Sequence, residues 1–281
     1  MKSGSPLLQS EGLTKGDEAM DLKLKYLCAL VSGSAKGIGL AIATELAAEG
    51  ARIIVTGRSE ASVAAAHAKI RQHVPDARLE GFAGDLSGAA ATAELVARFP
   101  TMDILVNNLG IYEPKPFEEI PDKDWLHFFD VNVMSGVRLA RAYLPQMKER
   151  NWGRIVFISS ESGIQIPTEM IHYGMTKTAQ LAISRGLAET CAGTGVTVNA
   201  VLPGPTRSDG VEAFVAKLSA GKSFAEFERE FFKKVRPTSL LQRFAAPDEV
   251  ASLVTYLCSP LSSAINGAAL RVDGGVVKSC F

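Results

Sequence analysis

The stretch VSGSAKGIGLAI, residues 31–42, decides how the chain is expected to fold. A short apolar run leads into it, and a helix-forming segment follows it. Gly33, Gly37 and Gly39 carry no side chain, so the backbone of this turn can approach a ligand closely. The unpaired N–H groups and the dipole of the following helix favour an anion at the same place. The stretch therefore predicts a strand–turn–helix unit that binds the phosphates of a dinucleotide, with a purely structural turn as the alternative.

Short β-rich runs alternate with helical segments along almost the whole chain. Near-continuous apolar runs are typical of parallel strands that are covered on both faces, and strand–helix alternation predicts a doubly wound α/β sheet. The helical stretches include residues 39–50 and 176–193. The globular pattern begins near Met20, so we expect residues 1–19 to form a disordered leader. No linker divides the rest of the pattern, so we expect a single domain over 20–281. The predicted strands are 26–32, 52–56, 78–82, 103–107, 153–159, 196–201 and 269–273.

Composition narrows the function classes. Of the 281 residues, 47% are apolar and 21% are charged, which is typical of a globular protein. Thirty basic side chains balance thirty acidic ones, so no net field attracts nucleic acid or a membrane surface. No apolar run is long enough to span a bilayer. Four scattered cysteines and four histidines show no metal-binding spacing. We therefore expect a cytoplasmic protein with reduced cysteines and no catalytic metal.

Several motifs have the order and spacing of a known family. The turn reads G-x-x-x-G-x-G, and it is followed by NNLG (107–110), FDVNVMSG (129–136), VFISSESG (156–163), YGMTK (173–177) and PGPT (203–206). This set resembles the short-chain dehydrogenase/reductase family from about residue 22 to residue 277. Leu109 stands where the family usually has alanine, a change that removes no reactive group. The resemblance implies a Rossmann-type sheet and an NAD(P)-dependent oxidoreductase acting on a ketone or secondary alcohol.

The resemblance also assigns a catalytic tetrad, which consists of Asn132, Ser160, Tyr173 and Lys177. Tyr173 and Lys177 are four positions apart, so on a helix both side chains reach the same pocket. We expect the ammonium to lower the phenol pKa, which lets Tyr173 exchange a proton with the substrate oxygen. Ser160 would hydrogen-bond that oxygen. By resemblance, Lys177 would also hold the nicotinamide ribose, and Asn132 would hold a water that links Lys177 to solvent. The alternative is an amphipathic helix edge with no catalytic role.

The residues at the end of the predicted second strand, 52–56, indicate which dinucleotide the protein binds. NAD-binding relatives usually carry a carboxylate after this strand, whereas this sequence reads Thr56-Gly57-Arg58. Arg58 and Lys36 can instead bind a 2′-phosphate, which favours NADP(H) over NAD(H). By resemblance Asp85 and Leu86 would lie beside the adenine, although Asp85 could simply be a helix N-cap. The complete set of candidate cofactor-binding residues is Gly33, Ser34, Lys36, Gly37, Ile38, Gly39, Arg58, Asp85, Leu86, Asn108, Gly110, Tyr173, Lys177, Pro203, Gly204 and Thr206.

Residues 206–240 interrupt the strand–helix rhythm. Phe224, Phe227, Phe231 and Phe232 recur at near-helical spacing with charges between them. This pattern predicts either an amphipathic helix packed on the body or a mobile lid whose apolar face lines the substrate pocket.

Two other functions compete with a general reductase. One is a 3-oxoacyl-carrier-protein reductase, whose acidic partner would need a basic surface. Another is a dinucleotide-sensing protein that binds without turnover, which is disfavoured because Tyr173 and Lys177 are both present. By resemblance we also expect a homotetramer, formed through residues 186–193 and 267–277. The basic residues available for a carrier protein are Arg207, Lys217, Lys222, Lys233, Lys234 and Arg236.

Overall fold

A computed structural model describes residues 20–208 and 223–280 of the chain. Its centre is one sheet of seven parallel strands in the order β3-β2-β1-β4-β5-β6-β7. This confirms the predicted doubly wound parallel sheet, and every predicted strand is present with its ends shifted by at most two residues. The strands are β1 (Cys28–Val31), β2 (Arg52–Gly57), β3 (Arg78–Ala83), β4 (Ile104–Asn107), β5 (Gly153–Ile158), β6 (Val196–Pro203) and β7 (Ala269–Val272).

Helices cover both faces of the sheet because side chains alternate along each strand. Ala29 and Val31 of β1 face one apolar cluster, whereas Cys28 and Leu30 face the other. Both clusters are almost entirely buried, which explains the continuous apolar runs in the sequence. The helices are α1 (Gly37–Ala48), α2 (Glu60–His73), α3 (Ala89–Arg98), α4 (Asp122–Phe129), α5 (Ser135–Glu149), α6 (Ile171–Thr190), α7 (Phe224–Lys234) and α8 (Pro247–Cys258).

The strand order places a crevice where ligands bind in folds of this type. β1 lies between β2 and β4, so the chain winds outward in one direction from β1 to β3 and in the other from β4 to β7. Ligands bind at the carboxyl ends of the strands beside such a reversal. The glycine-rich turn after β1 and the NNLG segment at the end of β4 are therefore brought together at this edge.

The segment 206–240 is described in part. Residues 209–222, which include Lys217 and Lys222, lie outside the described residues, as does the leader 1–19. Thr206 pairs with Ala245, and α7 begins with a capping box between Ser223 and Glu226. Within the described ranges, no helix combines the length and the apolar character that crossing a membrane requires.

Candidate active site

The glycine-rich turn leaves its backbone accessible at the start of α1. Gly33 and Gly37 have φ values of +65° and +58°, a conformation that strains other residues. A Cβ on Gly39 would lie 2.5 Å from the Gly33 carbonyl oxygen, so only glycine allows this tight return of the chain. The side chain of the N-cap residue Lys36 does not cap α1. The first N–H groups of α1 therefore remain available to an anion, as a dinucleotide phosphate requires.

Hydroxyl groups fix this turn to the neighbouring strands. The Gly33 N–H donates to Thr56 Oγ1 at 2.9 Å, and the Thr56 N–H donates to Ser34 Oγ at 2.8 Å. Ser32 Oγ accepts hydrogen bonds from the N–H groups of Asn108 and Leu109 at 2.9 and 3.0 Å. Ser34 is fully buried, so its hydroxyl holds the turn against β2.

A cavity of about 270 Å³ opens at the carboxyl ends of the strands. It brings together many of the residues that the sequence singled out. The other candidates are not among the lining residues. Asn132 is buried, and the rest lie in the glycine-rich turn or just after the ends of β2 and β3. The candidate residues that line the cavity are Ile38, Asn108, Gly110, Ser160, Tyr173, Lys177, Pro203, Gly204 and Thr206.

Tyr173 and Lys177 reach this cavity from the same face of α6. Lys177 Nζ lies 5.6 Å from the centre of the Tyr173 ring. Lys177 is 4% exposed, and its ammonium group donates to the Ile158 carbonyl at 2.9 Å and to Gln180 Oε1 at 3.3 Å. Burial lowers the pKa of Lys177 to about 8, because the charged form loses hydration. Lys177 is therefore a cation whose charge is sensitive to pH near neutrality.

The phenol of Tyr173 differs from the sequence-based expectation. Burial raises the pKa of Tyr173, and the Glu161 carboxylate raises it further. The Ser160 hydrogen bond and the Arg236 charge act in the opposite direction but are weaker. Loss of phenolate hydration thus outweighs the Ser160 hydrogen bond and the Arg236 charge. The Tyr173 phenol is therefore protonated at neutral pH.

Asn132 lies in a π-helical turn, Asp130–Met134, which directs it out of the regular helix. Its amide accepts from the Ile111 N–H at 2.7 Å and donates to the Ile111 carbonyl and Thr176 Oγ1, both at 3.0 Å. Its backbone carbonyl accepts from Gln180 Nε2 at 2.5 Å. The side chain therefore fastens the loop at Ile111, and the water that the resemblance assigns to Asn132 beside Lys177 remains a prediction.

Gln180 is a residue that the sequence reasoning missed. Its amide connects Lys177 Nζ to the Asn132 carbonyl, and it is 2% exposed. A signal was present in the sequence, because Gln180 follows Lys177 by three positions and is a polar residue within an apolar helical run.

A buried ion pair next to Ser160 was also missed. Ser160 Oγ donates a short hydrogen bond to the Glu161 carboxylate, and Arg236 Nε donates to Glu161 Oε1 at 2.9 Å. Arg236 Nη1 contacts Glu169 at 3.3 Å. Arg236 is 7% exposed and lines the cavity. The expectation that it contributes to a basic docking surface is therefore wrong, because the cation is enclosed with its acidic partners.

The cations proposed for the 2′-phosphate are exposed. Arg58 follows β2 and Lys36 precedes α1, and neither side chain is buried. Asp85 accepts from the Ser87 N–H and hydroxyl at 3.0 and 2.7 Å, and these bonds, with the charge of Arg58, lower the pKa of Asp85. Asp85 is not the N-cap of α3, since Gly88 holds that position.

Within 20–208 and 223–280, no three His, Cys, Asp or Glu side chains form a group that could hold a metal ion.

Comparisons with known proteins agree with this architecture. A family model described as enoyl-(acyl carrier protein) reductase matches residues 33–277. The oxidoreductase YvaG of Bacillus subtilis, named as uncharacterized, is 51% identical over 264 residues, which cover 93% of this chain and 100% of that protein. The structure of L-sorbose reductase from Gluconobacter frateurii, complexed with NADPH and L-sorbose, is 29% identical with a TM-score of 0.86 and covers 92% of this chain and 100% of its own. A structure named as a short chain dehydrogenase/reductase family protein is 34% identical with a TM-score of 0.79 and covers 91% and 98%.

Proposed function

Because the chain belongs to the short-chain dehydrogenase/reductase family, a family of NAD(P)-dependent oxidoreductases, we propose that it transfers a hydride between NADP(H) and a ketone or secondary alcohol. One observation carries the proposal. Tyr173, Lys177 and Ser160 line the same cavity as Asn108 and Gly110, at the edge where the glycine-rich turn presents uncapped N–H groups. Proton-exchanging groups and a phosphate-binding turn therefore meet in one crevice.

The residues of the turn fit a dinucleotide. Gly33 and Gly39 allow close backbone approach, and the start of α1 offers N–H donors to the phosphates. Lys36 is exposed before α1, and the exposed residue directly after β2 is Arg58 in place of a carboxylate. These two cations support NADP(H) over NAD(H). The complex of the similar L-sorbose reductase with NADPH supports the same choice. When bound, the nicotinamide would supply or accept the hydride.

The chain itself handles the proton and the developing charge. In ketone reduction the Tyr173 hydroxyl donates its proton to the substrate oxygen, and in alcohol oxidation the phenolate accepts it. Ser160 lies beside that oxygen and stabilises the charge that forms there. The ammonium of Lys177 stabilises the phenolate left on Tyr173. Asn132 shapes the wall by fixing Ile111, which also lines the cavity.

The remaining expectations are part of the same proposal. We expect residues 20–281 to form one domain, with 206–240 as the substrate lid, and the enzyme to work in the cytoplasm as a homotetramer. Phe227 and Phe231 of α7 line the cavity, which supports the substrate-facing role of the described part of that segment.

Absorbance of reduced nicotinamide provides the test. The parent protein should oxidise NADPH in the presence of an apolar methyl ketone such as 2-heptanone, with a higher kcat/KM for NADPH than for NADH. Tyr173→Phe keeps the ring and removes the proton donor, so we expect a loss of kcat of about 10²-fold or more. NADPH binding, followed by fluorescence, should survive in this variant.

Two outcomes would contradict the proposal. Full activity of Tyr173→Phe would exclude the phenol as the proton donor. Dinucleotide binding by the parent without turnover of any ketone in a broad panel would favour the sensing protein.

A further inference from the structure

Arg236 offers the cavity a hydrogen-bond donor that the mechanism above does not use. Its Nε donates to Glu161, and its Nη1 donates to Glu169 and to the Val235 carbonyl at 3.0 Å. Its Nη2 makes no hydrogen bond to any residue in the ranges 20–208 and 223–280. The residue is 7% exposed, and it lines the cavity that also contains Ser160 and Tyr173. The guanidinium is therefore held through Nε and Nη1, and Nη2 has no partner among those residues.

The partners of Arg236 hold the guanidinium in place. Glu161 is 4% exposed, and besides Ser160 its carboxylate accepts from the Ser162 N–H at 2.7 Å and from Ser162 Oγ at 3.0 Å. A carboxylate with this many donors cannot swing away without leaving buried groups unpaired. Arg236 is consequently a preorganised donor, and little ordering free energy is spent when a ligand binds to it.

The charges of Arg236, Glu161 and Glu169 favour an uncharged hydrogen-bond acceptor on the substrate over a carboxylate. One cation, Arg236, faces two carboxylates, those of Glu161 and Glu169, so the cluster carries a net charge of −1. A substrate carboxylate would add a third anion in a partly desolvated place, which costs free energy. An uncharged carbonyl oxygen meets no such repulsion and still gains a charge-assisted hydrogen bond.

Most of the remaining cavity surface is apolar, and the other polar side chains that line it include Asn108, Thr206 and Ser208. It offers surface for hydrocarbon and few further hydrogen-bonding groups, so a substrate rich in hydroxyls would lose hydration without replacement. The apolar side chains that line it include Ile111, Pro114, Met170, Phe227, Phe231 and Phe244.

We propose that Arg236 Nη2 binds a second, uncharged oxygen of the substrate, and that the substrates are neutral ketones with a carbonyl oxygen close to the reacting carbonyl and an apolar remainder, as in a β-keto ester. This inference rests on the proposed function. It assigns Arg236 to substrate recognition, where it distinguishes among ketones that Tyr173 could protonate equally well.

The test compares two methyl ketones of similar length, ethyl acetoacetate and 2-heptanone, with the parent and Arg236→Lys. Lysine keeps a cation for Glu161 but lacks the Nη2 group that we propose binds the second substrate oxygen. Loss of a hydrogen bond to a charged donor corresponds to roughly tenfold or more in kcat/KM. We expect the loss for ethyl acetoacetate to exceed the loss for 2-heptanone by about this factor, since any disturbance of Ser160 through Glu161 lowers the activity on both ketones alike. Because the variant and the parent are compared on the same substrate, the difference in intrinsic reactivity between the two ketones cancels.

Acetoacetate adds a measurement that needs no variant. The parent should use ethyl acetoacetate at least about tenfold better than acetoacetate, because the acid adds the third anion. Preference for acetoacetate, or equal losses for both ketones in a folded Arg236→Lys protein, would overturn the inference and leave the proposed function standing. No turnover of any ketone by the parent would instead contradict the proposed function, and the inference with it.

Discussion

At the scale of single residues, Gln180 connects two of the candidate catalytic residues, Lys177 and Asn132. The sequence motifs identify Tyr173 and Lys177. The Lys177 ammonium also donates a hydrogen bond to Gln180, a residue that no motif contains. Gln180 Oε1 stabilises the ammonium, while its Nε2 is held by the carbonyl that the π-helical turn exposes at Asn132. We therefore expect Gln180 to act as a positioning residue whose influence on activity passes through Lys177.

Substitutions of Gln180 should shift the pH dependence of ketone reduction. Lys177 has its pKa lowered to about 8, so activity that needs the ammonium is present below this pKa and is lost as pH rises through it. Gln180→Leu removes an acceptor from the ammonium, which lowers the Lys177 pKa further and moves the basic limb of kcat/KM to lower pH. Gln180→Glu places a carboxylate there and should move the limb to higher pH.

The pair of variants separates electrostatics from packing. A purely structural role for Gln180 would lower thermal stability in both variants and leave the position of the basic limb unchanged. Shifts of the same sign in both variants would also contradict the role assigned to the Oε1 atom.

At the scale of elements, α7 has two apolar functions on one short helix. Phe232 is 1% exposed and packs edge-on against Phe244 at 5.2 Å. Phe227 is only partly buried and lines the cavity. The sequence left open whether these phenylalanines pack the helix on the body or face the substrate; Phe232 packs on the body, and Phe227 lines the cavity. The opening and closing of the lid remains a prediction.

Two alanine variants test this division. Phe232→Ala should lower the free energy of unfolding by about 3 kcal/mol or more, as expected for truncating a buried phenylalanine. Phe227→Ala should cost far less stability and raise KM for 2-heptanone several-fold, because it removes apolar surface from the cavity. Chemical denaturation and steady-state kinetics measure the two effects. An unchanged KM in Phe227→Ala would show that α7 only packs.

The whole molecule leaves two surfaces that suit assembly. β7 pairs only with β6 among the described strands, and it is more exposed than the central strands. On α6, Gly186 is exposed, and a Cβ there would meet no atom within 4 Å. An unpaired sheet edge and a helix surface with a small residue allow close approach of another copy. Both lie in the stretches from which the homotetramer was predicted.

Gly186→Arg tests the tetramer at the α6 surface. The isolated chain has room for the side chain, and replacing glycine inside a helix should raise helix stability by up to about 1 kcal/mol. The parent should have the mass of four chains by light scattering, whereas Gly186→Arg should form smaller species that remain folded. Gln72→Arg, at an exposed position of α2, is the matched control and should stay tetrameric. A monomeric parent, or a tetrameric Gly186→Arg, would contradict this assembly.

The sequence by itself determined the parallel sheet, because strand periodicity, glycine turns and apolar runs are local properties that each segment carries alone. It also determined the family, since the order and spacing of motifs survive without coordinates. Only the tertiary structure decided that Arg236 faces the cavity and not the surface, and that Gln180 joins Lys177 to Asn132. These contacts link residues that are 75 and 48 positions apart, as between Arg236 and Glu161 and between Gln180 and Asn132. Charge and hydrogen bonding depend on distance in space, and no local pattern encodes that distance.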